Sequence, residues 1–392
     1  MIIVADQHIP FVEDVFSGLG ELILIPGQDI TQKSLESADV LIVRSVTQID
    51  RDLMENSTVR FVGSATAGID HVDVAFLQGA NIHFCHAPGA NAESVVEYVF
   101  ACLSTFSKWH GESFLDRTIG IVGAGNVGGL LAQRCKSLGM KTLVNDPPLA
   151  ALNGSDQFCT LSSLIRQSDI LSIHTPLHKT GEFATAKLIG AAELAKMRQN
   201  VWLVHSARGG VCDEKELIKA RLEGRIGALA LDVWENEPTP SLRTVDAADI
   251  ATGHIAGYSL DAKKAGISKL RKDLISFFGR PEMQTLQNRL PTKDGGVGDG
   301  SAIEPSTDEP GIQFQAGDSI SDLIQSLYPV LDDDHRFRSA MIQSSESPRA
   351  IADSFHHYRA TYPVRRRFGA HSIMGTVPAL WREVLLQPEG HR

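Results

Sequence analysis

The sequence is poor in cysteine and has no long apolar run, and each shortage excludes a class of protein. Its five cysteines are scattered over 392 residues without a C-x-x-C pair, which argues against a disulfide framework. No apolar run approaches the roughly 20 residues that cross a bilayer. The strand-like N-terminus, MIIVAD, has no basic leader. We therefore expect a reduced cytoplasmic protein with buried thiols, no secretory signal and no metal site.

Positive charge is also in deficit, with 37 Lys and Arg against 47 Asp and Glu, a formal net charge of -10. This balance argues weakly against nucleic acid or an anionic membrane as a partner. The length exceeds what a single core usually serves, and 43% of the residues are hydrophobic. We therefore expect two or three domains, each with a sizeable core.

Short apolar runs alternate with helical patterns in two series, which predicts an α/β fold with parallel sheets. The first series predicts strands at 2–5, 22–25, 40–44, 61–64 and 82–85, with helices such as 12–19 and 53–57 between them. After a long apolar helix at about 91–110, the second predicts strands at 118–122, 141–145, 170–174, 201–205, 228–233 and 249–253, with helices at 130–138 and 213–223. A helix over about 260–278 is expected to cross back, so that the second unit is inserted into the first.

The composition of the chain changes over a short stretch near residue 300. Gly, Asp, Ser, Pro and Thr dominate from about 291 to 310, as in a linker or flexible loop. Residues 311–392 resume a globular composition and contain the basic cluster Arg365, Arg366 and Arg367. That cluster could reach a phosphate across a dimer, or it could be a solvated surface cluster, as charge runs commonly are.

A glycine-rich loop follows the predicted strand at 118–122 and opens a helix, the context in which G-x-G-x-x-G predicts dinucleotide binding. The loop consists of Gly123, Ala124, Gly125, Asn126, Val127 and Gly128. Its amides can face a pyrophosphate, and Asp146 ends the next strand, where a ribose-binding acid belongs. A carboxylate there favours NAD over NADP. The alternative is a structural turn with a capping Asp.

Three polar residues stand at the ends of apolar runs: Arg208 after 201–204, Glu237 after 228–234 and His254 after 249–253. Ligands bind outside the carboxyl ends of parallel strands, so the three side chains are expected to converge. Arg208 can anchor a carboxylate, His254 can move a proton, and Glu237 can hold the imidazole. Taken singly, each has a structural alternative: a surface ion pair, a cap beside Pro238, or a core histidine.

These residues resemble the D-isomer-specific 2-hydroxy acid dehydrogenase family. The resemblance is carried by SARGG around Arg208, DVWENEP ending in Glu237-Pro238, and GHIAGY around His254. Further matching segments are VRSVT, VGSATAGIDH, NDPP, HTPL and GYSL, and the match covers residues 1 to about 285. The remaining tail matches more loosely.

The resemblance implies a flavodoxin-like substrate domain at 1–92 and 256–285, with a Rossmann NAD-binding domain inserted at 93–255. A linker or flexible loop at 286–310 and a smaller C-terminal α+β dimerisation domain at 311–392 complete this organisation, and a homodimer is implied. By the same resemblance Ser45, Thr66 and Tyr258 contact substrate. NAD contacts would come from Asp146, Thr175, Ser206, Ala207, Arg208, Asp232 and Gly257. For Ser45 and Thr66, ordinary turn chemistry is the alternative.

The expected activity is NAD-dependent oxidation of a small phosphorylated 2-hydroxy acid. Arg208 would anchor the carboxylate, His254 would serve as acid and base, and Glu237 would tune it. Two rivals stay open: a related dehydrogenase, such as one acting on 3-phosphoglycerate, and a dinucleotide-sensing binding protein without catalysis.

Overall fold

The computed structural model describes residues 1–153, 157–279, 290–291, 297–298 and 311–386. The chain divides into two compact units, Met1–Asn91 with Ser259–Glu304 and Ala92–Tyr258 with Pro305–Arg392. Both are built on parallel sheets, so the predicted α/β fold is confirmed. None of the described helices is long and apolar enough to cross a membrane.

The first unit is a five-stranded parallel sheet in the order β2-β1-β3-β4-β5. This 2-1-3-4-5 order is that of flavodoxin-like folds, as expected. The strands are β1 Ile2–Asp6, β2 Glu21–Ile25, β3 Val40–Val43, β4 Phe61–Ser64 and β5 His83–His86. The helices are α1 Val12–Phe16, α2 Gln32–Leu35, α3 Arg51–Met54, α4 Val74–Gly79 and, after the second unit's sheet, α12 Leu260–Phe278. All of β3 and β4 is buried, because helices cover both faces of the sheet.

The second unit contains a six-stranded parallel sheet in the order β11-β10-β9-β8-β6-β7. Its strands are β6 Ile119–Val122, β7 Thr142–Asn145, β8 Ile170–Ile173, β9 Val201–His205, β10 Ile226–Leu231 and β11 Ile250–Ala251. Its helices are α5 Ala92–His110, α6 Asn126–Ser137, α7 Pro147–Asn153, α8 Leu161–Gln167, α9 Ala191–Ala195, α10 Glu214–Leu222 and α11 Leu242–Ala247. The strand order reverses between β6 and β8, and ligands bind at such a switch point.

The C-terminal region belongs to the second compact unit. It contains α13 Ile320–Leu327, α14 Val330–Gln343, α15 Pro348–Ala360, α16 Ala379–Trp381 and a π-helical turn at Arg382–Leu386. The short strands β14 Ile312–Gln313 and β15 Ile373–Met374 pair in parallel. Before this region, in the first compact unit, β12 Leu290–Pro291 pairs antiparallel with β13 Val297–Gly298. Buried side chains of α13 and α14 share one apolar core with α5 and the six-stranded sheet. Described residues of the tail therefore pack in the same compact unit as the six-stranded sheet, and the predicted dimerisation domain at 311–392 stays a prediction.

Most predicted elements are present, with shifted ends that have local causes. The helix predicted at 53–57 is instead α3, because the Asp50 carboxylate caps the Leu53 amide and starts the helix earlier. Helix α1 stops at Phe16, shortly before Gly18, whose φ is +78°. The predicted linker at 286–310 and the stretch 293–310 fall outside the described residues, apart from β12 and β13.

The cysteines agree with a reduced protein whose thiols are largely inert. Cys85, Cys102, Cys135 and Cys212 are buried, whereas Cys159 is only half-buried, which corrects the expectation of five buried thiols. The Cys159 thiol instead donates to the Val144 carbonyl at 3.4 Å. Burial raises the pKa of Cys135 to about 12, so this thiol does not ionise near neutral pH.

Candidate active site

The glycine loop lies at the switch point between β6 and β8. Gly123 has φ +90°, and a Cβ there would lie 2.9 Å from the backbone of His174, which follows β8. A Cβ on Gly128 would lie 1.8 Å from the Gly123 carbonyl oxygen, so this position closes the loop onto α6. A Cβ on Gly125 would meet nothing within 4 Å. The first and third glycines are therefore required by packing, and the second leaves open space at the start of α6, which begins with Asn126 and Val127.

Asp146 links this loop to the next strand. Its Oδ2 accepts a hydrogen bond from the Ala124 amide at 2.7 Å, and its Oδ1 accepts one from the Leu149 amide at 3.0 Å. The side chain is half-buried. Asp146 therefore does accept hydrogen bonds from local backbone amides, as the capping alternative expected. Its binding of the ribose stays a prediction.

Two further residues predicted to contact NAD carry buried hydroxyls without a partner among the described residues, Thr175 and Ser206. The Thr175 methyl lies 3.0 Å from the position of a Cβ on Gly123, so Thr175 stands beside the glycine loop. Buried hydroxyls are normally hydrogen-bonded. The orphaned Thr175 hydroxyl beside the glycine loop, and the orphaned Ser206 hydroxyl just after β9, therefore fit a dinucleotide that supplies their partners.

Asp232 is fully buried at the end of β10 and organises the loop that carries His254. Its Oδ1 accepts from the Thr252 hydroxyl at 2.7 Å and from the Ile255 amide at 2.8 Å. Its Oδ2 accepts from the Ala256 amide at 2.9 Å. Burial raises the pKa of this carboxyl above its ordinary value, against the lowering effect of these donors. Asp232 thus holds the 252–256 loop, and its contact with NAD stays a prediction.

His254 and Glu237 form a hydrogen-bonded pair. His254 Nδ1 lies 2.7 Å from Glu237 Oε2, and Glu237 Oε1 accepts from the Trp234 amide at 2.9 Å. Burial by itself would raise the pKa of Glu237, but the charge and hydrogen bond of His254, the Trp234 amide and the charge of Arg359 together lower it. Glu237 is therefore an anion near neutral pH, and its Oε2 is an acceptor for a proton on Nδ1.

Arg208 stands on the loop after β9, next to the loop that carries Glu237. A Cβ on Gly209 would lie 1.7 Å from the Trp234 carbonyl oxygen, so glycine is what allows the two loops to approach. Arg208 is half-buried, and its Nη1 donates to the Ala207 carbonyl at 2.8 Å. The backbone thus brings the Arg208 loop and the Glu237–His254 pair to the same edge of the sheet.

Sequence reasoning overlooked His205, the last residue of β9. It is 2% exposed, and burial lowers its pKa to about 4, with Glu237 and His254 among the charges that act on it. It is therefore neutral at pH 7 beside the proton-transfer pair. Its position at the end of a predicted strand, directly before the SARGG segment, could have indicated that it lies near the site.

The C-terminal residues that brace the His254 loop were also overlooked. Asp334 Oδ1 accepts from the Ala251 amide at 2.7 Å, and Trp234 stacks on Phe337 with centroids 5.6 Å apart. A Cβ on Gly253 would lie 2.8 Å from Phe337 and Tyr358. No sequence motif predicts these contacts, because they join residues that are 83 to 105 positions apart in the chain.

The basic cluster in the tail is not uniformly solvated, contrary to the surface interpretation. Arg365 is 9% exposed, and its Nη2 donates to the carbonyls of Ser94 at 3.1 Å and Ala256 at 2.6 Å. Its guanidinium lies 4.5 Å from the centre of the Tyr328 ring. An arginine buried at this position is satisfied by donating to backbone carbonyls. Arg365 therefore ties the tail to α5 and to the loop before Gly257 and Tyr258.

In the first unit, Ser45 and Thr66 follow the neighbouring strands β3 and β4. Ser45 is exposed, whereas the Thr66 hydroxyl donates to the Gly68 carbonyl at 2.8 Å and lies 2.8 Å from the Ser64 hydroxyl. The Thr66 hydroxyl therefore makes the local turn contact that was the alternative to substrate binding. The contacts of both residues with substrate stay predictions.

The matches to known proteins agree with this geometry. Residues 97–256 match the family model of the D-isomer specific 2-hydroxyacid dehydrogenase, NAD binding domain. The chain is 39% identical over 386 residues to the erythronate-4-phosphate dehydrogenase of Pseudomonas putida strain W619, covering 97% of each chain. The chain belongs to this dehydrogenase family.

Other relatives show the extent of the likeness. The erythronate-4-phosphate dehydrogenase of Salinibacter ruber is 38% identical over 382 residues, with 96% of this chain and 95% of the relative covered. The solved D-lactate dehydrogenase of Aquifex aeolicus, complexed with NAD and lactic acid, matches with a TM-score of 0.59 at 21% identity. That match covers 73% of this chain and 98% of the solved one, and it shows the fold alone.

The family membership identifies the chain as an NAD-dependent oxidoreductase of the D-2-hydroxy acid dehydrogenase type. NAD is its cofactor, and the glycine loop with Thr175 and Ser206 supplies groups that can hold it. No group of three or more His, Cys, Asp or Glu side chains that could hold a metal ion occurs in the described parts of the chain.

Proposed function

We propose that the chain catalyses the NAD-dependent oxidation of 4-phospho-D-erythronate to 2-oxo-3-hydroxy-4-phosphobutanoate, a step of pyridoxal 5'-phosphate biosynthesis. The observation that carries the proposal is the 39% identity, over 97% of both chains, to a relative named erythronate-4-phosphate dehydrogenase. The Glu237–His254 pair supports the chemistry, since the oxidation needs a group that removes the proton of the 2-hydroxyl.

His254 removes the proton of the 2-hydroxyl group. Because Glu237 is an anion, the neutral imidazole carries its hydrogen on Nδ1 and donates it to Glu237 Oε2. Nε2 is then the basic nitrogen, and it accepts the hydroxyl proton as the C2–H hydride leaves. The Glu237 carboxylate stabilises the imidazolium that results. In the reverse direction His254 returns the proton to the carbonyl oxygen.

Arg208 anchors the substrate carboxylate and polarises the bond between C2 and its oxygen. A planar guanidinium can bind a carboxylate with two parallel hydrogen bonds, which fixes the C2 hydrogen in one direction. NAD, when bound at the glycine loop, accepts the hydride. Ser45, Thr66 and Tyr258 would position the remaining oxygens of the substrate.

The place and assembly of the enzyme are part of the same proposal. A cytoplasmic protein fits the five unpaired cysteines, because disulfides are rare in reducing compartments. We expect a homodimer formed through residues 311–392. A solution mass near that of one 42.5 kDa chain would contradict the dimer and leave the chemistry standing.

A substrate panel tests the proposed function. NADH formation is measured with 4-phospho-D-erythronate, 3-phosphoglycerate and D-lactate, each with NAD and with NADP. We expect the highest kcat/KM for 4-phospho-D-erythronate with NAD. A higher value for 3-phosphoglycerate would favour the rival dehydrogenase. NAD binding without turnover of any 2-hydroxy acid would favour a dinucleotide-sensing protein.

A further inference from the structure

An arginine of the C-terminal region, Arg359, contacts Tyr258, which is predicted to bind substrate. Arg359, near the end of α15, donates from Nη2 to the Tyr258 hydroxyl at 2.8 Å. Its guanidinium carbon lies 5.3 Å from the centre of the Tyr258 ring, and Tyr362 packs edge-on against the same ring at 5.8 Å. The position of the Tyr258 hydroxyl is therefore set by the C-terminal helix.

The charge of Arg359 is not neutralised by an ion pair with any carboxylate of the described residues. Its Nε is buried and has no hydrogen-bond partner in that same part of the chain. The guanidinium also lies close enough to Glu237 to lower the pKa of that carboxyl. Arg359 is thus a partly buried cation, with a donor to spare, beside the proton-transfer pair.

The expected substrate carries two anionic groups, whereas the residues predicted to hold it include one cation. Arg208 is assigned to the carboxylate, and Ser45, Thr66 and Tyr258 are neutral. A phosphate dianion is bound best by a charged donor, and the fork of an arginine matches its oxygens. Among the residues assigned to contact the substrate, the phosphate therefore has no cationic partner of its own.

We propose that Arg359 binds the phosphate group of the substrate together with the Tyr258 hydroxyl. The C-terminal region then determines the preference for phosphorylated over unphosphorylated 2-hydroxy acids. This inference rests on the proposed function and names the recognition element of the same site. The guanidinium of Arg359 supplies the charge and the donors, among them the Nε that has no partner in the described part of the chain, and the Tyr258 hydroxyl lies beside it at 2.8 Å.

Arg44, which precedes Ser45, is a weaker candidate for this role. Its Nε is 2.6 Å from Oδ2 of Asp6, whose side chain is fully buried. A phosphate would have to share the charge of Arg44 with that buried carboxylate, whereas Arg359 forms no ion pair with a described carboxylate. The structure therefore favours Arg359.

The experiment compares Arg359→Met and Arg359→Lys with Arg349→Met. Arg349 is the matched control, because it lies on the same helix and its side chain is 92% exposed. The readout is the ratio of kcat/KM for 4-phospho-D-erythronate to kcat/KM for D-erythronate, both with NAD. We expect Arg359→Met to lower this ratio by about 10- to 100-fold, mainly through KM for the phosphorylated acid. Arg359→Lys should recover part of the loss, and Arg349→Met should keep the wild-type ratio.

A binding measurement separates failure of this inference from failure of the proposed function. Calorimetric titration of 4-phospho-D-erythronate into NADH-loaded protein should give a Kd that Arg359→Met raises by about 10- to 100-fold. An unchanged Kd and ratio in Arg359→Met would overturn the role of Arg359, as would equal losses for both substrates. If the unsubstituted protein neither binds nor oxidises 4-phospho-D-erythronate, the proposed function fails instead.

Discussion

The 2.7 Å hydrogen bond between His254 Nδ1 and Glu237 Oε2 determines which imidazole nitrogen can accept a proton. A carboxylate is an acceptor only, so it selects the tautomer with hydrogen on Nδ1. His254 has φ +58°, a left-handed conformation uncommon for residues other than glycine. The loop held by Asp232 maintains that conformation, because Ile255 and Ala256 donate their amides to its carboxylate.

Replacement of Glu237 by Gln should therefore reduce kcat by about 100- to 1000-fold, with little change in the Kd of NAD. A neutral amide can donate to Nδ1 as well as accept from it, so the reactive tautomer is no longer enforced, and the imidazolium loses its counter-charge. Steady-state kinetics and NAD titration provide the measurement. A kcat within about threefold of the unsubstituted enzyme would show that Glu237 does not act through His254.

His205 makes the stability of the enzyme sensitive to mild acid. Its pKa is about 4 when folded, because of burial, and near 6.5 when unfolded. Below pH 6.5, His205 binds a proton in the unfolded chain but not in the folded one. The free energy of unfolding therefore falls as the pH drops towards 4. The full effect is on the order of 3 kcal/mol.

The substitution His205→Asn should remove this contribution. The loss of Tm between pH 7 and pH 5 is then smaller in the variant than in the unsubstituted protein, whatever their absolute stabilities at pH 7. Thermal unfolding followed by circular dichroism at both pH values gives the comparison. Parallel losses in the two proteins would mean that His205 is not the acid-sensitive group.

Among the structural elements, the β6–α6 turn contains one glycine that the fold requires and another that leaves room for the cofactor. A Cβ on Gly128 would lie 1.8 Å from the Gly123 carbonyl oxygen, whereas a Cβ on Gly125 would have no heavy atom of the described residues within 4 Å. Gly125 is therefore needed for the close approach of a ligand, and Gly128 for the packing of helix on strand.

The variants Gly125→Ala and Gly128→Ala should consequently fail in different ways. We expect Gly125→Ala to keep the Tm of the cofactor-free protein and to weaken NAD binding by tenfold or more. Gly128→Ala should lower the Tm even without NAD, because a 1.8 Å contact forces the backbone to move. Gly79→Ala, on α4 in open space, is the control for an added methyl group. A normal NAD affinity in Gly125→Ala would show that NAD does not need the open space beside Gly125.

Elements defined by local patterns could be predicted from the sequence, and those defined by long-range packing could not. The runs at 61–64 and 201–205 are buried on both faces and became β4 and β9 without change. The predicted strand 228–233 is observed as Ile226–Leu231, with Trp234 turned so that its amide meets Glu237. The contacts of Arg359 and Arg365 join residues about 100 positions apart, which no local spacing reveals.

At the scale of the whole molecule, the C-terminal region packs as part of the compact unit that contains the nucleotide-binding sheet. Arg338 donates to the carbonyls of Val245 and Ala248 at 2.7 Å, and α13 packs on α5 in the shared core. Removal of this region would expose apolar side chains of α5 to water.

A chain that ends at residue 310 should therefore aggregate or unfold, and it should not persist as a soluble NAD-binding monomer. Light scattering and near-ultraviolet circular dichroism of the purified fragment test this expectation. A folded fragment with the NAD affinity of the full chain would show that residues 311–386 serve assembly alone.

We propose that His254, held by Glu237, moves the proton when NAD accepts the hydride of 4-phospho-D-erythronate. The most direct test of this claim is the rate of NADH formation from that substrate in a single turnover, for the unsubstituted enzyme and for His254→Ala. We predict rapid formation by the former and a rate lowered by about 1000-fold or more in the latter, with NAD still bound. Equal rates in the two proteins would contradict the account.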